Sequence, residues 1–153
     1  MRKAILSILS LSLIFMISCG DDKSKKETTK KEDVKEEVAE VDPMKNKGIG
    51  LVTSLTLADE IDLELAKTGE EVYVKMCSAC HKPTKRFVGP APLGIMERRS
   101  PEWIMNMILN PDEMVQKDPI AKALLAEYLS PMANQNLTEE QARSVLEYFR
   151  TLK

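Results

Sequence analysis

The 153-residue sequence predicts an all-α fold of four to five helices, and three observations carry that prediction. Helix-start signals recur at Ser100-Pro101, Asp118-Pro119 and Thr138-Glu139-Glu140-Gln141. Apolar residues fall at helical spacing in the stretches around those signals and over 62–76. The alternation that marks a half-buried strand is absent, apart from one ambiguous stretch at 49–57.

Each element can be justified in order. From Asp62 to Met76 the spacing puts Leu65, Gly69, Val72, Tyr73 and Met76 on one helical face. Gly- and Pro-rich chain follows from Cys77 to Gly94. Ser100 is the N-cap of a second helix with Pro101 at its first position; Trp103, Met107 and Ile108 follow, and Asn110-Pro111 ends it. Asp118-Pro119 repeats the start signal for a helix through about Leu129. Thr138 to Gln141 forms a capping box, with Leu137 as a staple against Ala142, and opens a last helix carrying Val145, Leu146, Phe149 and Leu152.

These elements occupy only part of the chain. Residues 1–19 combine Arg2-Lys3, an apolar run from Ala4 to Ile17 broken only by serines, and a small residue before Cys19, the pattern of a secretory signal peptide. Met16-Ile17-Ser18-Cys19 resembles a bacterial lipobox, which predicts lipidation of Cys19 and a membrane anchor through that lipid. Residues 20–47 hold nine acidic and eight basic residues and no aromatic, too little apolar area to offset ordering, so a charged disordered tether is expected. As a coil it would reach about 30 Å. The remainder, 48–153 with its core at about 62–153, is the folded domain. The even charge balance, with a net charge of −2, and the 5% aromatic content argue against a nucleic-acid partner.

Chemistry concentrates in Cys77-Ser78-Ala79-Cys80-His81. A C-x-x-C-H string is a c-type haem attachment motif: two thiols three positions apart can each form a thioether with one vinyl group, and the adjacent His is placed to coordinate iron. Three rival readings exist. A structural zinc site needs about four ligands, and this chain has a single His and only one further Cys, Cys19. A thioredoxin-like dithiol follows a strand, whereas this pair follows an amphipathic helix. A plain disulfide leaves His81 without a role. The secretory signal agrees with the haem reading, because haem is attached to such motifs outside the bacterial inner membrane.

With these residues in hand, positions 62–153 resemble a class I, mono-haem cytochrome c. Gly69 and Tyr73 match the family's first-helix glycine and aromatic, Gly89-Pro90 its downstream Gly-Pro, and Pro131-Met132 with Leu137 to Glu140 its distal loop and last helix. The resemblance implies one covalent haem c, thioether-bound at Cys77 and Cys80, with His81 as proximal iron ligand hydrogen-bonded to the carbonyl of Pro90. It also implies a close crossing of first and last helices at Gly69, Tyr73 packed near Leu146, Tyr148 or Phe149, and Trp103 near a haem propionate. The chain departs from the family at Pro92, where a Leu is usual.

The only His being used, the sixth ligand is sought among Met, Lys, Tyr, water or nothing. Met132, 51 residues after His81, is the first choice, with Met114 and Met96 next. His/Met ligation leaves no open coordination position, so a one-electron carrier rather than an enzyme is expected. The alternatives are an open-site haem protein for gas sensing or peroxide reduction, and a fixed haem module of a larger complex. Expected partners are a quinol-side donor and a terminal reductase or oxidase such as nitrous oxide reductase. The expected setting is the bacterial cell envelope, with a monomeric haem domain in the periplasm. Lys82, Lys85, Arg86, Arg98 and Arg99 are candidates for a basic ring that steers acidic partners.

Overall fold

The computed structural model describes residues 41–153. Cys19, the signal peptide and the tether up to residue 40 lie outside the described residues. Among the described residues there are five α-helices and no strand. They are α1 (Leu63–Met76), α2 (Pro101–Leu109), α3 (Pro111–Lys117), α4 (Pro119–Tyr128) and α5 (Glu139–Thr151), with one 3-10 turn at Ile95–Glu97.

The predicted starts are the observed ones. Asp62 caps α1 by accepting from the Leu65 N–H at 3.0 Å. Ser100 caps α2 through the Trp103 N–H, and Asp118 caps α4 through the Ala121 N–H. Both halves of the capping box form: the Gln141 N–H donates to Thr138 Oγ1, and the Thr138 N–H donates to Gln141 Oε1. The element beyond the expectation is α3. Asn110-Pro111 ends α2 and also begins α3, because a proline that cannot continue one helix is well suited to the first position of the next.

Helices α1 and α5 cross at the centre. A Cβ at Gly69 would stand 1.8 Å from the Ser144 carbonyl oxygen, so only glycine permits this approach. Tyr73 then packs on Tyr148 and Phe149, with ring centroids 5.3 and 5.8 Å away. Val145 and Leu146 of α5, Ile104 and Met105 of α2 and Met114 of α3 complete a buried apolar core. Below the crossing, the buried Glu147 carboxylate is held by Arg143, by Arg150 and by the Asp62 N–H. Arg150 also donates to the carbonyls of Ala58, Asp59 and Glu60, fixing the chain that enters α1.

The ambiguous stretch at 49–57 is neither strand nor helix; it is part of an irregular strap. A side chain replaces the missing neighbouring strand: Asn106 accepts from the Val52 N–H and donates to the carbonyls of Val52 and Lys47. The Ile49 N–H donates to the Met114 sulfur at 3.0 Å. Residues assigned to the tether by composition take part as well. The Asn46 side chain donates to Asp118 Oδ2, its carbonyl accepts from the Ser100 hydroxyl, and Val41 packs against the core. Charge density governs the prediction there, but a few polar contacts to α2 and α4 suffice to hold the segment.

Candidate haem site

The chemistry-bearing motif is a tight turn at the end of α1. The Cys77 and Ser78 N–H groups donate to the Tyr73 carbonyl, and the Cys80 and His81 N–H groups donate to the Cys77 carbonyl. Both thiols and the imidazole therefore belong to one compact turn, and both thiols are free. Burial, with Cys80 nearby, pushes the Cys77 thiol up to about 11, opposite to the depressed thiol of a dithiol redox catalyst. Among the described residues, no three His, Cys, Asp or Glu side chains gather as a metal cluster.

The loop after the motif folds back to fix the ring. Its Gly89 N–H donates to the Cys80 carbonyl at 3.0 Å. A Cβ at Gly89 would lie 2.4 Å from His81 Cε1, so the backbone passes flush against the imidazole. Nδ1 of His81 lies 2.8 Å from the Pro90 carbonyl oxygen, the acceptor that the resemblance assigned to it. With Nδ1–H donating there, Nε2 keeps its lone pair for a metal. The Tyr73 hydroxyl donates to the His81 carbonyl at 2.6 Å, a contact that sequence reasoning missed. Burial raises Tyr73 to about 12, with Tyr148 and Cys77 adding to the effect, so the hydroxyl remains a donor.

Cys77, Cys80, His81, Pro90, Trp103 and Met132 all line one largely apolar cavity. Its walls come from every helix and from the loop after α4. Pro92, the departure from the family pattern, is buried and lines this wall, while Leu93 is exposed. Three methionines, Met76, Met107 and Met132, reach the cavity. The second-choice ligands do not: Met96 is absent from the wall, and the Met114 sulfur is buried against the strap, where it accepts from Ile49.

Trp103 lines the cavity, and its indole N–H donates to Asp118 Oδ1 at 3.0 Å. Of the five residues expected to form a basic ring, four make contacts within the fold, and only Arg86 has an ion-paired acidic partner among the described residues. Arg86 pairs with Glu127 and stacks on Tyr128 at 4.0 Å, and Arg98 donates to the carbonyls of Ala91, Leu93 and Gly94. Arg99 is partly buried over the Trp103 ring at 5.3 Å, and Lys82 donates to the Ser78 carbonyl. Loop arginines next to unpaired carbonyls satisfy those carbonyls first. The Asp118 contact could have been suspected from its cap position, yet nothing in the sequence indicates that Trp103 lies beside it.

The family model for cytochrome c matches residues 66–153, from α1 through the end of the chain. The chain belongs to the cytochrome c family. A cytochrome c from Rhodothermus marinus is similar at 43% identity, with a TM-score of 0.69 over 72% of this chain and 97% of that one. An engineered form of that protein matches at 42% identity and the same TM-score over the same shares. The engineered protein bound to a carbene intermediate matches at 43% identity and a TM-score of 0.66, again over 72% and 97%. No curated protein sequence matches the chain. As a cytochrome c it carries one covalent c-type haem with iron and belongs to a family of haem-based electron-transfer proteins. Two free thiols on one turn, an imidazole with one nitrogen committed to Pro90, and an apolar cavity beside them fit that group.

Proposed function

We propose that this cytochrome c is a one-electron carrier with His81 and Met132 as axial ligands. One observation carries the reading: the His81 ring and the Met132 thioether border the same cavity as Cys77 and Cys80. When bound, the haem supplies a reversible one-electron Fe(III)/Fe(II) couple. The chain's own residues do the rest. Cys77 and Cys80 hold the cofactor covalently, Pro90 and Gly89 fix the plane and tautomer of His81, and the apolar wall excludes water. Met132 would hold the iron together with His81, which would leave no position for substrate and favour transfer over catalysis.

The setting belongs to the same proposal. Lipidation of Cys19 anchors the chain in the bacterial cell envelope and leaves the haem domain in the periplasm, supported by the apolar run ending at Cys19. The tether then lets the domain move between a quinol-side donor and a terminal reductase or oxidase, for which nitrous oxide reductase is a candidate. A second reading, iron chemistry at an opened site, draws on the engineered neighbour that holds a carbene intermediate. Substitution of Met132 separates them. The oxidised parent protein is expected to have the weak far-red band of methionine–iron coordination, and Met132→Ala is expected to lose it. Retention of the band in Met132→Ala would assign the ligand to Met76 or Met107, the other methionines on the cavity wall.

A further inference from the structure

The acidic partner of Trp103 is supplied by the chain itself. Asp118 is 2% exposed, and its oxygens accept from three donors: the Trp103 indole at 3.0 Å, the Ala121 N–H at 2.8 Å and the Asn46 side chain at 2.6 Å. All three neighbours are donors, so the site is built for the carboxylate form. Capping α4 does not require a charge, because Ser100 and Thr138 cap α2 and α5 with neutral hydroxyls. The charge is instead held just behind the cavity wall. Trp103 lines the cavity on one side and meets Asp118 with its N–H, while Arg99, also on the wall, lies over the same ring. Burial lowers the Arg99 pKa, Arg98 lowers it further, and Asp118 opposes both.

We propose that Asp118 is a positioning residue for the haem site: held by Asn46 of the strap, it orients the Trp103 indole and places a negative charge that favours oxidised iron. Fe(III) carries one more positive charge than Fe(II), so a nearby anion in a poorly solvated region stabilises it preferentially. The strap thereby reaches the cavity wall through two hydrogen bonds, Asn46 to Asp118 and Trp103 to Asp118. The proposal rests on the carrier reading, because a potential has meaning only for bound haem.

The test uses the haem-loaded full chain. Asp118→Asn keeps an acceptor for the cap and the indole but removes the charge, and Asp118→Glu keeps the charge. At a fixed ambient potential, Asp118→Asn is expected to raise the Fe(II)/Fe(III) ratio several-fold, with Asp118→Glu staying much nearer the parent. Near-UV circular dichroism of Trp103, the only tryptophan in the chain, is expected to change in parallel. A merely structural role would lower stability and leave the ratio unmoved, which would overturn the proposal. An equal shift in Asp118→Glu would assign the effect to packing and overturn it as well. Should Asp118→Asn fail to assemble, Asn46→Ala removes one donor from the carboxylate and is expected to lower the ratio; an unchanged ratio there counts against the proposal. Failure of the carrier reading would look different, as a missing far-red band in the parent protein itself.

Discussion

Tyr73 shows how much a single atom contributes at the haem site. Its ring packs between α1 and α5, and its hydroxyl reaches the His81 carbonyl. Tyr73→Phe keeps the ring and leaves that carbonyl without its donor, so a loss of about 1 kcal/mol in stability is expected. Guanidinium unfolding of the haem-loaded protein measures it, and an unchanged midpoint would show that water replaces the hydroxyl at no cost. The spacing puts Tyr73 on the same helical face as Gly69, and its packing against the last helix is implied by the resemblance to class I cytochromes c. The Tyr73 hydrogen bond was not legible, because the acceptor is a backbone carbonyl whose position depends on the turn after α1. The same holds for Trp103: its helix, N-cap and burial follow from sequence pattern, whereas its partner Asp118 belongs to another helix start.

Among the elements, the strap is the least expected and the most dependent on one side chain. Asn106 satisfies one N–H and two carbonyls of residues 47–52, groups that would otherwise be left without partners. Asn106→Ala is expected to cost about 2 kcal/mol and to release the strap locally. Amide hydrogen exchange should accelerate in residues 47–52 while α5 stays protected; uniform acceleration would mean that the strap is part of the global folding unit. Helix starts were readable because capping is local chemistry, as at Ser100, Asp118 and Thr138. Helix α3 was missed for the converse reason, since Asn110-Pro111 gives the same local signal for a stop and for a new start. The strap was ambiguous because its backbone is satisfied by side chains remote in sequence.

For the molecule as a whole, the α1–α5 crossing and the buried charge beneath it determine how the fold responds to acid. Burial alone would raise the Glu147 carboxyl, but the Arg143 hydrogen bond, the Asp62 N–H and the nearby Arg150 together hold it below its ordinary value of 4.5. A folded-state pKa below the unfolded one contributes stability that is complete above the unfolded value and lost as pH falls through the folded one. Stability is therefore expected to decline as the pH drops below about 4.5, and Glu147→Gln should flatten that decline. Thermal unfolding across this pH range checks it; a decline of equal steepness in Glu147→Gln would place the acid sensitivity elsewhere.

The same scale joins fold and function, because the crossing of α1 and α5 fixes the turn that holds Cys77, Cys80 and His81, while the loop between α4 and α5 brings Met132 to their cavity. Under the proposed ligation by His81 and Met132 the iron would have no open position, which is the condition for a carrier. Carbon monoxide binding to the reduced parent protein tests this most directly. The reduced protein is expected to resist carbon monoxide while Met132→Ala takes it up readily; prompt uptake by the parent would contradict His/Met closure and favour chemistry at an open iron.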